Sequence, residues 1–124
     1  DFDISFARGL SLEDGCATVT NFTAYLIAKG IEHANGNNSD PIKFLVCGGG
    51  RKNDYLINSI KSYLSHKQNI SLNSIDDYSL NGDYIESQAF GYLAIRSFLN
   101  LPISYPKTTG CIKPTVGGKL AQSF

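Results

Sequence analysis

The chain has 124 residues, 42% of them hydrophobic and 18% charged, and its eleven basic residues balance eleven acidic ones. This is the composition of one globular domain able to bury roughly two-thirds of its unfolded surface, and it excludes a disordered chain. Neutrality gives no ground for a nucleic-acid or anionic-membrane partner, and no apolar run approaches the roughly 18 residues of a membrane span.

The first stretch, "DFDISFARGL", lacks the basic and apolar regions of a signal peptide. Phe2, Ile4 and Phe6 alternate like a strand, whereas Phe2, Phe6 and Leu10 keep helical spacing, so its conformation stays open. "SLEDGCATVTNFTAYLIAKG" predicts a helix. Ser11 with Asp14 three residues on resembles a capping box, Gly30 supplies a C-terminal stop, and Val19, Phe22 and Leu26 form the expected buried stripe. "NGNNSDP" is dense in turn formers and reads as a loop ended by Pro41.

"IKFLVCGGG" reads as a buried strand running into three glycines. Leu56, Ile57, Ile60, Tyr63 and Leu64 then mark one face of a helix, "NISL" a second short strand and "SIDDYSLNGD" a connecting loop. The last helix is expected to begin at Asp83, with Ile85, Ala89, Phe90, Leu93 and Phe98 on its apolar side, and to stop before Pro102. The remainder, with three prolines, reads as an extended tail lying on something else, Tyr105 through Leu120 being suited to a missing half or a subunit contact. Helix, strand, helix, strand, helix implies parallel strands joined by right-handed crossovers. Two strands make a thin sheet, so the chain is expected to be part of a larger domain or to depend on a partner.

Cys16, Cys47 and Cys111 are an odd, widely spaced set without a CxxC pair, which reads as reduced thiols in a cytosolic protein. With only His33 and His66 besides, the spacing of a metal site is missing. The glycines of "FLVCGGGRKND" carry the functional signal. They match neither the dinucleotide fingerprint, because Asn53 stands where a third glycine is needed, nor a phosphate loop ending in Gly-Lys-Ser/Thr. What remains is a glycine turn at the carboxyl end of a parallel strand, followed by a helix N-terminus, where open α/β sheets bind ligands and anions. The plain alternative is a tight turn that needs positive φ. Arg51 and Lys52 could pair with a phosphate, although such a basic pair more often belongs to a solvated turn.

"LVCGGGRKN", "NGDYIESQAFGYLA" and "LPISYPKTTGC", in this order and spacing, resemble the C-terminal part of the anhydro-N-acetylmuramic acid kinases. These are bacterial enzymes of the sugar-kinase, hexokinase and actin-like superfamily. The resemblance implies the closing portion of the second actin-like (ribonuclease H-like) half, an α/β arrangement of short parallel strands with helices on both faces, the N-terminal part being absent. It places ATP's adenosine and α-phosphate against Gly48, Gly49 and Gly50, with Asn53 a weaker contact. The reaction implied opens the 1,6-anhydro bridge with water while the freed O6 accepts the γ-phosphate, giving N-acetylmuramic acid 6-phosphate in peptidoglycan recycling. The general base, the phosphate loop and the Mg²⁺-associated acidic positions belong to the N-terminal part, so this chain alone is expected to be inactive. A cytoplasmic setting and a homodimer whose interface the sequence does not place are also implied. The chain departs from the family pattern at Asp54, Gly91 and Cys111.

Of the carboxylates, Asp76 and Asp77 read as solvated loop residues and Asp83 as a helix N-cap. Glu86, three residues on, completes a capping box, while the resemblance gives it a contact to the amino-sugar. Set against the kinase reading is a non-catalytic α/β module that binds a nucleotide or a partner through its open sheet edge.

Overall fold

The computed structural model describes Asp3, residues 5–119 and residue 121. The chain divides into two compact units, Asp1–Gly82 and Asp83–Phe124.

The first unit holds a short 3-10 turn (Ser5–Ala7), helix α1 (Leu12–Asn35), strand β1 (Ile42–Val46), a 3-10 turn (Gly49–Lys52), helix α2 (Asp54–Leu64), strand β2 (Ile70–Ser74) and a 3-10 turn (Ile75–Tyr78). Phe2 and Ile4, which left the opening stretch undecided, lie outside the described residues. Phe6 packs edge-on against Phe22 of α1 at 5.2 Å between ring centroids.

α1 begins as expected, with the Ser11 hydroxyl accepting the Asp14 N–H at 3.0 Å. It does not stop at Gly30. The helix runs on to Asn35 and ends at Gly36, at φ 57°. A glycine inside a helix costs only about 1 kcal/mol, and Ile31, just beyond it, packs against the core. The core itself differs from the expected stripe. Val19, Phe22 and Leu26 are half-buried, whereas Ala24 and Ala28 are fully enclosed. Small side chains let the α1 backbone come close to α2, whose Ile60 and Leu64 complete the core. Tyr63 donates to Asn21 and stacks edge-on with Tyr25, tying the outer rim of the two helices.

β1 and β2 form a parallel pair with Ile42 opposite Ile70 and Val46 opposite Ser74. Because side chains alternate along a strand, Ile42, Phe44, Ile70 and Leu72 share one face, and Ile70 and Leu72 pack against the helical core. Lys43, Leu45 and Ser71 fall on the other face and are exposed. The helical cover expected on both faces is therefore present on one face within this unit. The Lys43 ammonium lies 4.9 Å from the centre of the Tyr78 ring.

The second unit holds helix α3 (Ile85–Phe98) and a single helical turn, α4 (Pro106–Thr109). α3 starts two residues later than expected: its N-cap is Tyr84, with no side-chain cap bond, so Asp83 precedes the helix instead of capping it. Ile85 and Leu93 are half-buried, while Ala89, Phe90 and Phe98 are exposed. The tail is not a free extended segment. Ser104 bridges antiparallel to Thr115, and the Arg96 guanidinium donates to the Pro102 carbonyl at 2.8 Å and to the Tyr105 hydroxyl at 2.8 Å. Ser97 further donates to the Gly117 carbonyl. The tail thus folds back on α3 up to Lys119, Leu120 lying outside the described residues.

Candidate functional site

β1 delivers the chain to the glycine triplet at its carboxyl end. Gly48 has φ 77° and ψ 178°, a conformation essentially confined to glycine. The strand needs that residue to turn sharply into the 3-10 turn. Gly49 and Gly50 have no such requirement, since neither has a positive φ. A Cβ at Gly49 would meet nothing within 4 Å, and one at Gly50 would sit 3.7 Å from Leu56 Cδ2, an ordinary contact. The tight-turn explanation therefore accounts for one glycine of three.

Asn53 ends the turn and caps α2. Its Oδ1 accepts the Leu56 N–H at 3.0 Å, so that oxygen is committed to the helix start.

Sequence reasoning missed the support behind this turn. Arg51, with only 7% of its side chain exposed, donates through Nη1 to the Gly48 carbonyl at 2.9 Å. Its Nε and Nη2 meet the two oxygens of Asp76 at 2.6 and 3.3 Å. Asp76 also accepts the Gly82 N–H at 2.9 Å and the Ser74 hydroxyl at 2.9 Å. Asp76, although exposed, is thus a paired carboxylate instead of a merely solvated one, and Arg51 serves the turn itself. The guanidinium beside Asp76, followed by the Gly82 N–H and the Ser74 hydroxyl, holds its carboxyl well below the usual carboxylate range. The signal for this pair was charge complementarity across 25 residues, which no local spacing rule connects.

Next to Arg51, a cavity of about 150 Å³ is lined by Val46, Ile57, Leu72 and Ser74 among others, and none of the three glycines borders it. Gly49 and Gly50 are exposed and Gly48 is half-buried.

Glu86 belongs to the second unit and is exposed in the first turn of α3, at its second residue. The capping-box reading needs the third position and a side-chain cap, and α3 has neither. In the same unit Cys111 stands by Thr109, whose hydroxyl, with those of Ser104 and Thr115, holds the thiol below its usual range. Cys16, Cys47 and Cys111 are all unpaired. Among the described residues, no group of three or more His, Cys, Asp or Glu side chains could hold a metal ion, and no helix is long and apolar enough to cross a membrane.

A family model described as anhydro-N-acetylmuramic acid kinase matches residues 4–123. Proteins carrying that name are similar along nearly all of this chain. The one from Pelagibacter ubique (strain HTCC1062) is 49% identical across 100% of this chain and 33% of its own length. That from Zymomonas mobilis subsp. mobilis is 40% identical across 97% of this chain and 31% of its own. An anhydro-N-acetylmuramic acid kinase 2 from Jannaschia sp. (strain CCS1) is 36% identical across 98% and 30% respectively. The chain spans about a third of the length of these curated relatives. On the match over residues 4–123, this chain belongs to the anhydro-N-acetylmuramic acid kinase family.

Proposed function

We propose that this chain is the C-terminal portion of the second actin-like half of an ATP-dependent kinase acting on 1,6-anhydro-N-acetylmuramic acid. In this reading its glycine turn faces the nucleotide. The carrying observation is that Gly49 and Gly50 are glycines in a place where this chain would accommodate a side chain. Glycine lowers stability by roughly 0.5–1 kcal/mol in ordinary positions, so a use outside the chain's own packing is called for. Close approach of ATP's adenosine and α-phosphate to the backbone of Gly48, Gly49 and Gly50 supplies one. The role of Asn53 is indirect: it caps the helix that follows the turn.

Glu86 is the proposed contact to the amino-sugar. Without a capping box, its remaining local task is the weak, solvent-screened attraction to the helix N-terminus, and its carboxylate is exposed. The reaction is the one the family resemblance implies: water opens the anhydro bridge and the freed O6 accepts the γ-phosphate of ATP. The general base and the phosphate loop are assigned to the part of the protein that precedes this chain. That part would also extend the two-stranded sheet and cover its exposed face, and the full-length protein would form a homodimer. Mg²⁺ would accompany ATP, and the described residues gather no ligand set for it. The setting proposed is cytoplasmic, where ATP and a recycled wall sugar meet.

In the full-length enzyme, Gly49→Ala should raise the KM for ATP about tenfold or more, because a methyl displaces a ligand packed on the backbone. The melting temperature without nucleotide should stay level or rise slightly. An unaltered KM for ATP would remove the turn from the nucleotide site. For Glu86, replacement by Gln should weaken sugar binding or transition-state stabilisation by roughly 1.5–3 kcal/mol. Kinetics identical to wild type would sink the sugar contact.

A further inference from the structure

Gly48 is held on both of its polar groups by residues outside the triplet. Its N–H donates to the Gly82 carbonyl at 3.1 Å, and its own carbonyl accepts from Arg51 Nη1 at 2.9 Å. Gly82 and Arg51 are joined in turn through one carboxylate. Asp76 Oδ1 accepts the Gly82 N–H, and both Asp76 oxygens face the Arg51 guanidinium. The loop is closed: the one glycine of the triplet with a positive φ, the residue that anchors it and the arginine that reaches back over it are linked through Asp76.

Gly82 shows how tightly this is built. It is buried, and a Cβ there would lie 2.7 Å from Arg51 Cζ and 2.9 Å from Arg51 Cδ. The arginine side chain therefore lies directly across the Gly82 backbone, and the absence of a side chain at Gly82 is what admits it. None of these residues belongs to the hydrophobic core formed by Ala24, Ala28, Ile60 and Leu64. Their bonds converge on the glycine turn.

We propose that Arg51 and Asp76 are positioning residues for the nucleotide: their ionic clamp fixes Gly48, and through it the presentation of Gly49 and Gly50 to ATP. This rests on the nucleotide reading of the glycine turn given above. Arg51 acts through the backbone, its guanidinium being turned back onto Gly48 and Asp76. The planar fork matters. A lysine carries the same charge but cannot engage both Asp76 oxygens and the Gly48 carbonyl in one fixed plane.

The test uses the full-length enzyme with Arg51→Lys, Asp76→Asn and Gly82→Ala. The Kd for ATP is measured by calorimetry without sugar, KM for each substrate by steady-state kinetics, and the melting temperature without ligand. A loosened turn misplaces the ligand-facing backbone, so the ATP Kd and KM should rise about tenfold to a hundredfold. The sugar KM should stay within about twofold of wild type, since its contacts are elsewhere. Arg51→Lys with unchanged ATP affinity overturns the proposal. So does a parallel loss for both substrates that tracks a lowered melting temperature, which is the mark of general destabilisation. Should Arg51→Lys not fold, Gly82→Ala decides, because it displaces the guanidinium while keeping its charge. Wild-type enzyme that binds no ATP removes the nucleotide reading itself. Wild type that binds ATP beside an unaffected Arg51→Lys removes only the clamp.

Discussion

α2 and α3 are both helices with an apolar side legible in the sequence, yet they end in opposite conditions. In α2, Ile60 and Leu64 are enclosed and Asn53 caps the start. In α3 no residue is buried, no side chain caps the start, and Phe90 and Phe98 are 64% and 73% exposed. The difference lies in what each unit offers as a partner. α2 connects two paired strands and meets the alanine face of α1, so its apolar stripe has somewhere to go. α3 is accompanied in its unit by a tail that holds it through polar bonds from Arg96 and Ser97. Periodicity reports which face of a helix is apolar. Whether that face is covered depends on what else folds beside it.

The sharpest way to break this contrast is in the α1–α2 core. Ile60→Ala removes a side chain that is 2% exposed and should destabilise the chain by about 2–5 kcal/mol, read from urea unfolding. A loss below about 1 kcal/mol would mean that this core is not close-packed. Ala28→Leu tests the same contact from the other side. Forcing a larger side chain into the close approach should cost about 1–3 kcal/mol. Next comes Gly48→Ala, which places a Cβ at φ 77° and should cost about 1–3 kcal/mol even though no neighbouring atom obstructs it. Gly49→Ala serves as its control and should hold stability level or raise it, by up to about 1 kcal/mol.

These residues also mark where sequence reading succeeds. The two strands, α2 and the start of α1 follow from local signals: alternation, helical spacing, and a serine whose hydroxyl reaches the third N–H onward. The α1 core was misjudged because alanine weighs little in any count of hydrophobicity, although its small size is what permits helices to approach. Gly30 resembles a stop in the sequence because a local propensity of about 1 kcal/mol cannot anticipate the packing of Ile31. At the site, the glycine triplet was visible as a motif, but only backbone angles separate Gly48, which the turn requires, from Gly49 and Gly50, which it does not. The Arg51–Asp76 pair was hidden because its partners meet only after β2 has paired beside β1.

Acid should sharpen the contrast between the built turn and ordinary loops. Asp76 has a carboxyl held below its usual value of 3.8 by Arg51 first, then by Gly82 and Ser74. A carboxyl whose value is lower folded than unfolded adds stability above the unfolded value, and that share is lost as pH falls towards the folded one. Wild type should therefore lose melting temperature more steeply than Asp76→Asn below about pH 4, the two curves converging in stronger acid. Parallel curves from neutral to acid pH would show that the pair contributes nothing to folding. With 44% of its side chain exposed, Asp76 should have a smaller influence here than the core substitutions.

The smallest expected effect is the most informative about α3. Phe98→Ser exchanges a side chain that is 73% exposed, so in this chain alone its unfolding free energy should move by no more than about 0.5 kcal/mol. The same substitution in the full-length protein asks a different question. If another segment covers α3 there, the loss should rise to the range of a buried phenylalanine, about 3 kcal/mol or more. Equal, small effects in both would mean that α3 keeps this face in water, and that its apolar side has a use other than folding. A large effect in the short chain would instead contradict the exposure of Phe98, and with it the contrast between the two helices.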